Sequence, residues 1–365
     1  MRVLIINTVP TEKNGITNVI FNYLKALNED TIRCDFVSLN TPDDVYSKTV
    51  QSKGGAVYVL PRSKASVLSY WWRIRRLIKK NGYDAVHIHG NSHTVTLELS
   101  AAWLGGCKTR IVHCHNTTCT HLLIHRFLTP IFNILYTHGV ACGMEAGYWM
   151  FGKKNFKVMN NGIDTDIYAF NLSIRQQLRV HLGWNDCRVI GHVGYFTDVK
   201  NQTFIVDVFS ELYNKDQRYR LLLIGDGNMR GDIENKLKKL GLFEVSKLTG
   251  NINNVNDYLN VMDVIVMPSL YEGLPLALIE QQANGLVCVV SDTITREVDK
   301  TGNLLFLSLG SSVSEWAKTV MLEDETDREE RSRKAIKCIT AGGYSIKEEA
   351  KNLVSFYRES IKETD

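Results

Sequence analysis

The chain has 365 residues, 44% hydrophobic and 22% charged, a size that fits about two domains and a composition that excludes a disordered chain, a collagen-like repeat and a disulfide miniprotein. Its eight cysteines include no Cys-x-x-Cys pair, the nearest being Cys114 and Cys119, so a zinc module or thioredoxin-type site is not expected and the thiols read as reduced and cytosolic. Net charge is +4 but uneven: residues 1–170 carry 19 Lys+Arg against 11 Asp+Glu, the remainder 24 against 28, which points the first half at something anionic, nucleic acid or a lipid surface.

The N-terminus opens directly on a β-branched run, Met1 to Asn7, without a basic n-region or long apolar core. No stretch reaches the ~18–20 apolar residues that span a bilayer. Strands are predicted over 1–8, 33–39, 55–60, 83–89, 109–115, 138–142 and 156–160, with helices between most of them, such as 17–28 and 66–81. After residue 170 the pattern restarts. Strands fit 188–195, 219–225, 245–249, 263–267, 286–291 and 303–308, with helices near 201–214, 228–240, 255–260, 276–284 and 312–322. An amphipathic helix follows from 346, apolar on one face to about 361. Alternation of strand and helix means parallel sheets with right-handed crossovers. Apolar runs such as Val3-Leu4-Ile5-Ile6 and Leu221-Leu222-Leu223-Ile224 suit strands covered on both faces.

Two α/β units of similar size imply two doubly wound domains, 1–165 and 170–345, with the helix over 346–365 packing back on the first. The turn cluster Asn160-Asn161-Gly162-Ile163-Asp164 is the natural joint. Ligands of such sheets sit at the carboxyl ends of strands, so the expected site is a central cleft between the domains.

Three segments carry the chemistry. Gly225-Asp226-Gly227-Asn228-Met229-Arg230-Gly231 follows a strand and opens a helix. Its spacing is not the dinucleotide Gly-x-Gly-x-x-Gly, and a tight strand-to-helix turn needs glycine anyway. In Pro268-Ser269-Leu270-Tyr271-Glu272-Gly273-Leu274-Pro275-Leu276-Ala277-Leu278-Ile279-Glu280, two carboxylates eight apart flank a loop with free backbone N–H groups. Glu272 can face a ligand's hydroxyls and Glu280, one turn inside the helix, can accept from a ribose diol; the bland alternative is a solvated loop glutamate and a helical ion pair. Third, eight of the ten histidines fall in 87–138. His113 and His115 share a strand face, but spacing fixes no third ligand among Cys114, Cys119, His121 and His125, so no metal site is expected. His87 and His89 read as satisfied polar groups at a strand end.

The Glu-x7-Glu element inside Pro-Ser-Leu-Tyr-Glu-Gly-Leu-Pro resembles the donor-sugar signature of retaining glycosyltransferases of family 4. Tyr83 to Gly90, Ile111 to Thr117, Asn160 to Asp164 and Gly191 to Phe196 are similar to the exopolysaccharide and capsule branch of that family. The resemblance covers nearly the whole chain and implies the GT-B fold, two Rossmann-like domains facing a central cleft. Residue by residue it implies that Glu280 holds the nucleotide ribose and Glu272 the transferred sugar, with the amides of Gly273, Leu274 and Leu276 near sugar and phosphates. Lys200 would be the cation on the diphosphate, with Gly194 and Gly15 close to the same phosphates. Asn251, Asn254 and Val255 would line the base pocket, with Gly225, Asp226 and Gly227 across from it, and His115 would stand at the sugar-transfer centre. There are departures from the family pattern. Tyr195 stands where arginine usually follows the glycine, so a charge-assisted contact of ~1.5–3 kcal/mol is missing or supplied elsewhere. The first loop reads Asn14-Gly15-Ile16-Thr17 instead of paired glycines with a glutamate. Gly143 stands where serine is common.

Helical spacing in Trp71-Trp72-Arg73-Ile74-Arg75-Arg76-Leu77-Ile78-Lys79-Lys80 fits either an interfacial helix drawn to anionic lipid or a core helix with a solvated basic face. Leu122 to Tyr136 is a second apolar candidate, in which Pro130 interrupts or starts a helix. No helix-turn-helix or RNP motif supports nucleic acid. The expected protein is therefore a retaining glycosyltransferase that moves a sugar, from UDP rather than GDP, to a glycan or polyprenyl-linked glycan acceptor of surface polysaccharide. It would act in the cytoplasm or peripherally on the inner face of the plasma membrane, with no cofactor and no metal, hence in chelator. Rival readings are a weakened GT-B nucleotide-sugar-binding protein, favoured by Tyr195, and a nucleotide-sugar epimerase. An NAD-dependent dehydrogenase is more distant.

Overall fold

Non-alternating apolar runs form the strands. In the first half these are β1 (Arg2–Asn7), β2 (Arg33–Ser38), β3 (Val57–Val59), β4 (Ala85–His89), β5 (Thr109–Cys114), β6 (His138–Ala141) and β7 (Lys157–Val158). In the second they are β8 (Arg188–Val193), β9 (Tyr219–Ile224), β10 (Ser246–Leu248), β11 (Val264–Met267), β12 (Val287–Ser291) and β13 (Leu304–Leu307). The structure, a computed structural model, describes residues 1–12, 14–27, 32–322 and 327–364. Residues 28 and 365, the last of two predicted helices, lie outside the described residues. Each predicted strand forms within two or three residues of its expected ends.

Both sheets are parallel, in the order β3-β2-β1-β4-β5-β6-β7 and β10-β9-β8-β11-β12-β13. In each, chain order reverses once, between β1 and β4 and between β8 and β11. The chain divides into two compact units, Met1–Gly162 with Gly343–Asp365, and Ile163–Gly342.

Period-2 alternation gives the first sheet two cores. Leu4, Ile6, Val86, Ile88 and Val112 point to one face, covered by helices Val67–Asn81, Thr96–Leu104 and Leu122–Leu135. Val3, Ile5, Ala85, Ile111 and Val140 point to the other, covered by Gly15–Ala26 and the C-terminal helix Ile346–Thr364. That last helix docks by Leu353, Phe356 and Tyr357, and its Thr364 and Glu363 reach Thr109 Oγ1 (2.6 Å) and His138 Nε2 (2.9 Å). A side chain at Gly162 would meet the Ile346 backbone at 2.8 Å, so glycine there permits the close approach.

In the second unit Ile190, Leu221, Leu223, Val264, Val266 and Val289 form one face of the sheet with Trp316, whose indole packs edge-on against Phe204 and donates to Ser308 O. Asp263 ties helix Leu172–Leu182 to the start of β8. It accepts from Arg175, from Arg179 Nη2 (2.6 Å) and from Val189 N (2.7 Å). Burial opposes its charge, but the two guanidiniums hold the carboxyl below its ordinary range.

The helices at 172–182 and 328–341 have no predicted span of their own. Pro130 neither starts nor ends a helix; it sits inside Leu122–Leu135. Its missing N–H costs one intrahelical bond, tolerated because Phe132 and Leu135 anchor the following turn in the core. Truncating Trp316 removes a fully buried indole. Trp316→Ala is expected to destabilise the second unit by about 3–5 kcal/mol in denaturant unfolding.

Candidate active site

Loops that leave neighbouring strands in opposite directions open a crevice at the point where strand order reverses. In each unit predicted residues lie at the carboxyl ends of the reversal strands and of their neighbours: Gly15 follows β1 and His115 follows β5; Gly194 and Lys200 follow β8, Gly225 to Gly227 β9, Asn251 to Val255 β10 and Glu272 β11, with Glu280 in the helix beyond.

In the second unit the loop after β8 carries Gly194, Tyr195 and the short turn Asp198–Lys200; the loop after β11 carries Ser269 to Pro275. Leu270 N donates to Val199 O (2.8 Å) and Asn201 Nδ2 to Pro268 O (3.2 Å), so the two loops are tied together. Across that tie Lys200 Nζ pairs with Glu272 Oε1, which also accepts from Ser269 Oγ at 2.8 Å. Both charged groups are largely shielded, with side chains 22% and 11% exposed. Glu272, singled out by its spacing, and Lys200, implied by the family resemblance, therefore form one ion pair. Ser269 in turn is held by Ser291 and Thr293, which donate to its carbonyl.

Beneath the turn lies His192, fully buried, with Nδ1 at 3.0 Å from Val266 O and Nε2 at 3.3 Å from Gln202 Nε2. Burial first, then the positive Lys200, pushes its pKa down to about 4, and the Val266 carbonyl only partly offsets them. It is a neutral prop and not a second cation. Gln202 also donates to Tyr195 O (3.0 Å), while the Tyr195 side chain is exposed.

Gly194 N donates to Ile224 O and Phe196 N to Asp226 O, which zips the loop after β8 to the loop after β9. At Gly225, φ is +135° and an added Cβ would stand 2.0 Å from Gly194 O; at Gly227 it would meet Phe196 O at 2.3 Å. The chain itself needs these two glycines, whatever they do for a ligand. Asp226 accepts from Gly227 N and lies 3.7 Å from Arg230. Asn251 and Asn254 are exposed and Val255 half-buried, at the start of helix Val255–Leu259.

Helix Leu276–Ala283 begins after Pro275. Gly273 is exposed, Leu274 and Leu276 half-buried. Glu280 is hydrogen-bonded to Tyr168, a partner the sequence did not suggest. Burial pushes its carboxyl up to about 7, with the Tyr168 bond pulling the other way.

In the first unit Asn14 caps helix Gly15–Ala26 by accepting from Thr17 N (3.0 Å). An added Cβ at Gly15 meets nothing within 4 Å. Packing does not demand this glycine, which leaves the surface free for a close approach. His115, just past β5, is fixed by Asn91 Oδ1 on its backbone N–H (2.9 Å) and by His89 Nδ1 on its Nε2 (2.9 Å). Burial pushes its pKa down to about 3. It is thus a neutral hydrogen-bonding group at physiological pH and cannot serve as a protonated acid there.

His87 departs from the expectation that it and His89 are satisfied polar groups. His87 is satisfied at Nδ1 by Tyr357 Oη (2.6 Å), but its Nε2 and both nitrogens of His113 are buried without partners. The three rings also gather, with ligating atoms within 4.8 Å of one another. Sequence spacing hid this grouping because the third member comes from the neighbouring strand. His125 is elsewhere, stacked on His93 and Trp149, and the Cys114 thiol donates to Asn116 O.

The raised Glu280 pKa gives a pH-dependent cost. The unfolded carboxyl ionises from about pH 4.5, the folded one only near 7. Stability at this group is full below 4.5 and is lost as pH rises to 7 and beyond. Glu280→Gln is therefore expected to be more stable than the parent above pH 7, by about 1–3 kcal/mol, and no more stable at pH 4. Thermal unfolding across pH checks this.

Residues 13–167 match the family described as Glycosyltransferase Family 4, and residues 187–321 that described as Glycosyl transferases group 1. The chain is 32% identical over 326 residues, 84% of each chain, to the putative glycosyltransferase EpsF of Bacillus subtilis (strain 168). It is 28% identical over 60% of each chain to an Escherichia coli UDP-Gal:alpha-D-GlcNAc-diphosphoundecaprenol alpha-1,3-galactosyltransferase. In structure it is similar to Anabaena Alr3699/HepE, crystallised with UDP, at a TM-score of 0.79 and 14% identity over 98% of this chain and 100% of that one. With two parallel-sheet Rossmann-like units in chain order and this degree of likeness along nearly its whole length, the chain is a GT-B-fold glycosyltransferase belonging to family 4.

Proposed function

We propose that the protein transfers a sugar from a UDP-sugar, with retained anomeric configuration, to a glycan or polyprenyl-diphosphate-linked glycan in surface polysaccharide synthesis. The observation that carries this reading is the Lys200–Glu272 pair held at the carboxyl end of β11, one helical segment before the shielded Glu280. The name of the Bacillus relative supports glycosyl transfer, and the name of the E. coli relative and the UDP in the Anabaena crystals support the donor and acceptor classes.

The chemistry follows from where charge develops. The anomeric carbon becomes oxocarbenium-like while negative charge grows on the departing diphosphate. Lys200 is the cation available to that charge, and Glu272 holds it in place until the phosphates compete for it. Amides of Gly273 to Leu276 add donors. In a retaining transfer the leaving phosphate takes the acceptor proton on the same face. Glu280 accepts from the ribose as a carboxylate, so a donor must expel its proton below pH 7. No Mg2+ or Mn2+ clamp enters the reading, and turnover without either is expected.

A second part of the proposal concerns the membrane. Among the described residues no helix is long and apolar enough to cross one. Helix Leu122–Leu135 buries only His125, Phe132 and Leu135, while Leu123, Phe127 and Ile134 are each about four-fifths exposed. Helix Thr96–Leu104, which exposes Trp103 and Leu104, packs on this helix and on Val67–Asn81, which exposes Trp72, with Arg75 over the Trp72 ring and donating to Leu104 O. Helix Val67–Asn81 buries Tyr70, Ile74 and Ile78 and turns its basic side out, so it is at once a core helix and a charged surface. Apolar tips amid Arg75, Arg76, Lys79, Lys80 and Arg126 suit an anionic lipid surface.

Calorimetry with UDP, GDP, ADP and NAD tests the donor. UDP is expected to bind best, with affinity rising up to about pH 7 and then levelling. Glu280→Ala should weaken it about 10–100-fold. Lys200→Ala should lower turnover about 10²–10³-fold, and Glu272→Ala should also lower turnover strongly. Parental rates in all three variants, or binding of NAD alone, would sink the assignment. For the membrane, co-sedimentation with phosphatidylcholine vesicles should increase when phosphatidylglycerol is added, and Phe127→Glu with Ile134→Glu should abolish the increase. Sedimentation indifferent to anionic lipid would overturn that part.

A further inference from the structure

Three histidines lie on one face of two adjacent parallel strands. His87 and His89 alternate along β4, and His113 on β5 stands directly across from His89 in the register. All three are buried, and one nitrogen from each falls within 4.8 Å of the others. They lie on the face covered by helices Gly15–Ala26 and Ile346–Thr364, beside a cavity of about 10 Å³. Apart from the imidazoles and two tyrosines, its described lining is aliphatic or thioether, including Ile5, Ile20 and Leu353.

The hydrogen bonds leave the right atoms over. The Nδ1 of His87 is engaged by Tyr357 Oη at 2.6 Å, which leaves Nε2 buried and unpartnered. The Nδ1 of His89 is engaged by His115 at 2.9 Å, which leaves Nε2. His113 has no partner at either nitrogen. A buried polar atom without a partner costs about 1–3 kcal/mol, and here several are crowded into one place. The pattern of one nitrogen held and the other presented is how metal-ligating histidines are oriented by their surroundings.

We propose that His87 Nε2, His89 Nε2 and one nitrogen of His113 form a buried tri-imidazole site for a divalent transition metal of the zinc class. Neutral imidazoles without carboxylate select such ions over magnesium or calcium. The cavity has room for about one water, the fourth ligand of a three-histidine site. The rings of His87 and His113 are nearly parallel, 4° apart with centroids at 5.4 Å. Binding therefore tilts the imidazoles about their Cβ–Cγ bonds until their nitrogens are about 3.3 Å apart, as Zn–N distances of 2.0–2.1 Å in a tetrahedron require. The ion would link β4 and β5 to the C-terminal helix through Tyr357. With His89 ligating through Nε2, its Nδ1 keeps the proton and donates it to His115 Nε2. The site is built entirely from residues of the first unit, and its test reads no sugar transfer.

The test uses untagged full-length protein stripped with a chelator. Titration with Zn2+ should show one ion per chain and a raised thermal midpoint. Co2+ in its place should give the visible absorption of a tetrahedral nitrogen–oxygen site. His113→Gln should weaken Zn2+ binding about 100-fold or more, whereas His181→Gln, exposed in the other unit, should not. Zinc X-ray absorption on the parent protein should count three imidazoles and does not depend on any variant folding. Occupancy well short of one ion, an unchanged midpoint, equal binding by His113→Gln, or fewer than three imidazoles would each overturn the site.

Discussion

A parallel sheet whose strand order reverses cannot close its own loops over the reversal. Between β1 and β4, and again between β8 and β11, the connections leave on opposite faces and the strand ends stay open. The rest of the molecule is arranged around these two openings. Asn14 and Gly15 follow β1, His89 and Asn91 follow or end β4, and His115 follows β5. In the second unit Gly194 to Lys200 follow β8 and Ser269 to Glu272 follow β11. The hydrophobic layers on both faces fix the strands, and the strands fix where polar groups can gather without being covered.

The two openings differ in charge. The second unit offers a true ion pair, Lys200 with Glu272, tethered by backbone bonds between its loops and supported from below by a neutral imidazole. Such a pair fixes the direction of the lysine side chain. The first unit offers imidazoles kept neutral by burial, whose orientation is set by one another and by Tyr357. One opening carries a paired cation, the other a group of neutral imidazoles.

Fold was legible from the sequence because buried parallel strands write themselves as short apolar runs; Val3 to Ile6 and Leu221 to Ile224 sit where expected. Helices 172–182 and 328–341 were not, since each shows mostly polar residues and is held by ionic and backbone contacts, Arg175 and Arg179 to Asp263 and Arg328 to Met262 O. Glu272 and Glu280 could be singled out by residue type and spacing, and Lys200 only through the family resemblance, but not the pairing of Glu272 with Lys200, which depends on loops 72 residues apart. Tyr168 beside Glu280 has no local signal. Gly225 and Gly227 show the opposite ambiguity: their motif looks like a ligand loop, while the neighbouring loop fills the space a side chain would take. The histidine cluster was visible as composition but not as geometry, because register between β4 and β5 decides which rings meet.

Helix Ile346–Thr364 belongs to the first unit although it is made after the second. During synthesis the second unit, a continuous stretch from Ile163 to Gly342, can complete its sheet as soon as it clears the ribosome. The first unit, begun earlier, waits with Leu353, Phe356 and Tyr357 missing from one of its cores. The order of emergence and the order of completion are thus inverted. The apolar face of helix Gly15–Ala26 is the surface left open during that interval, and it is there that a chaperone would find the nascent chain most in need of cover.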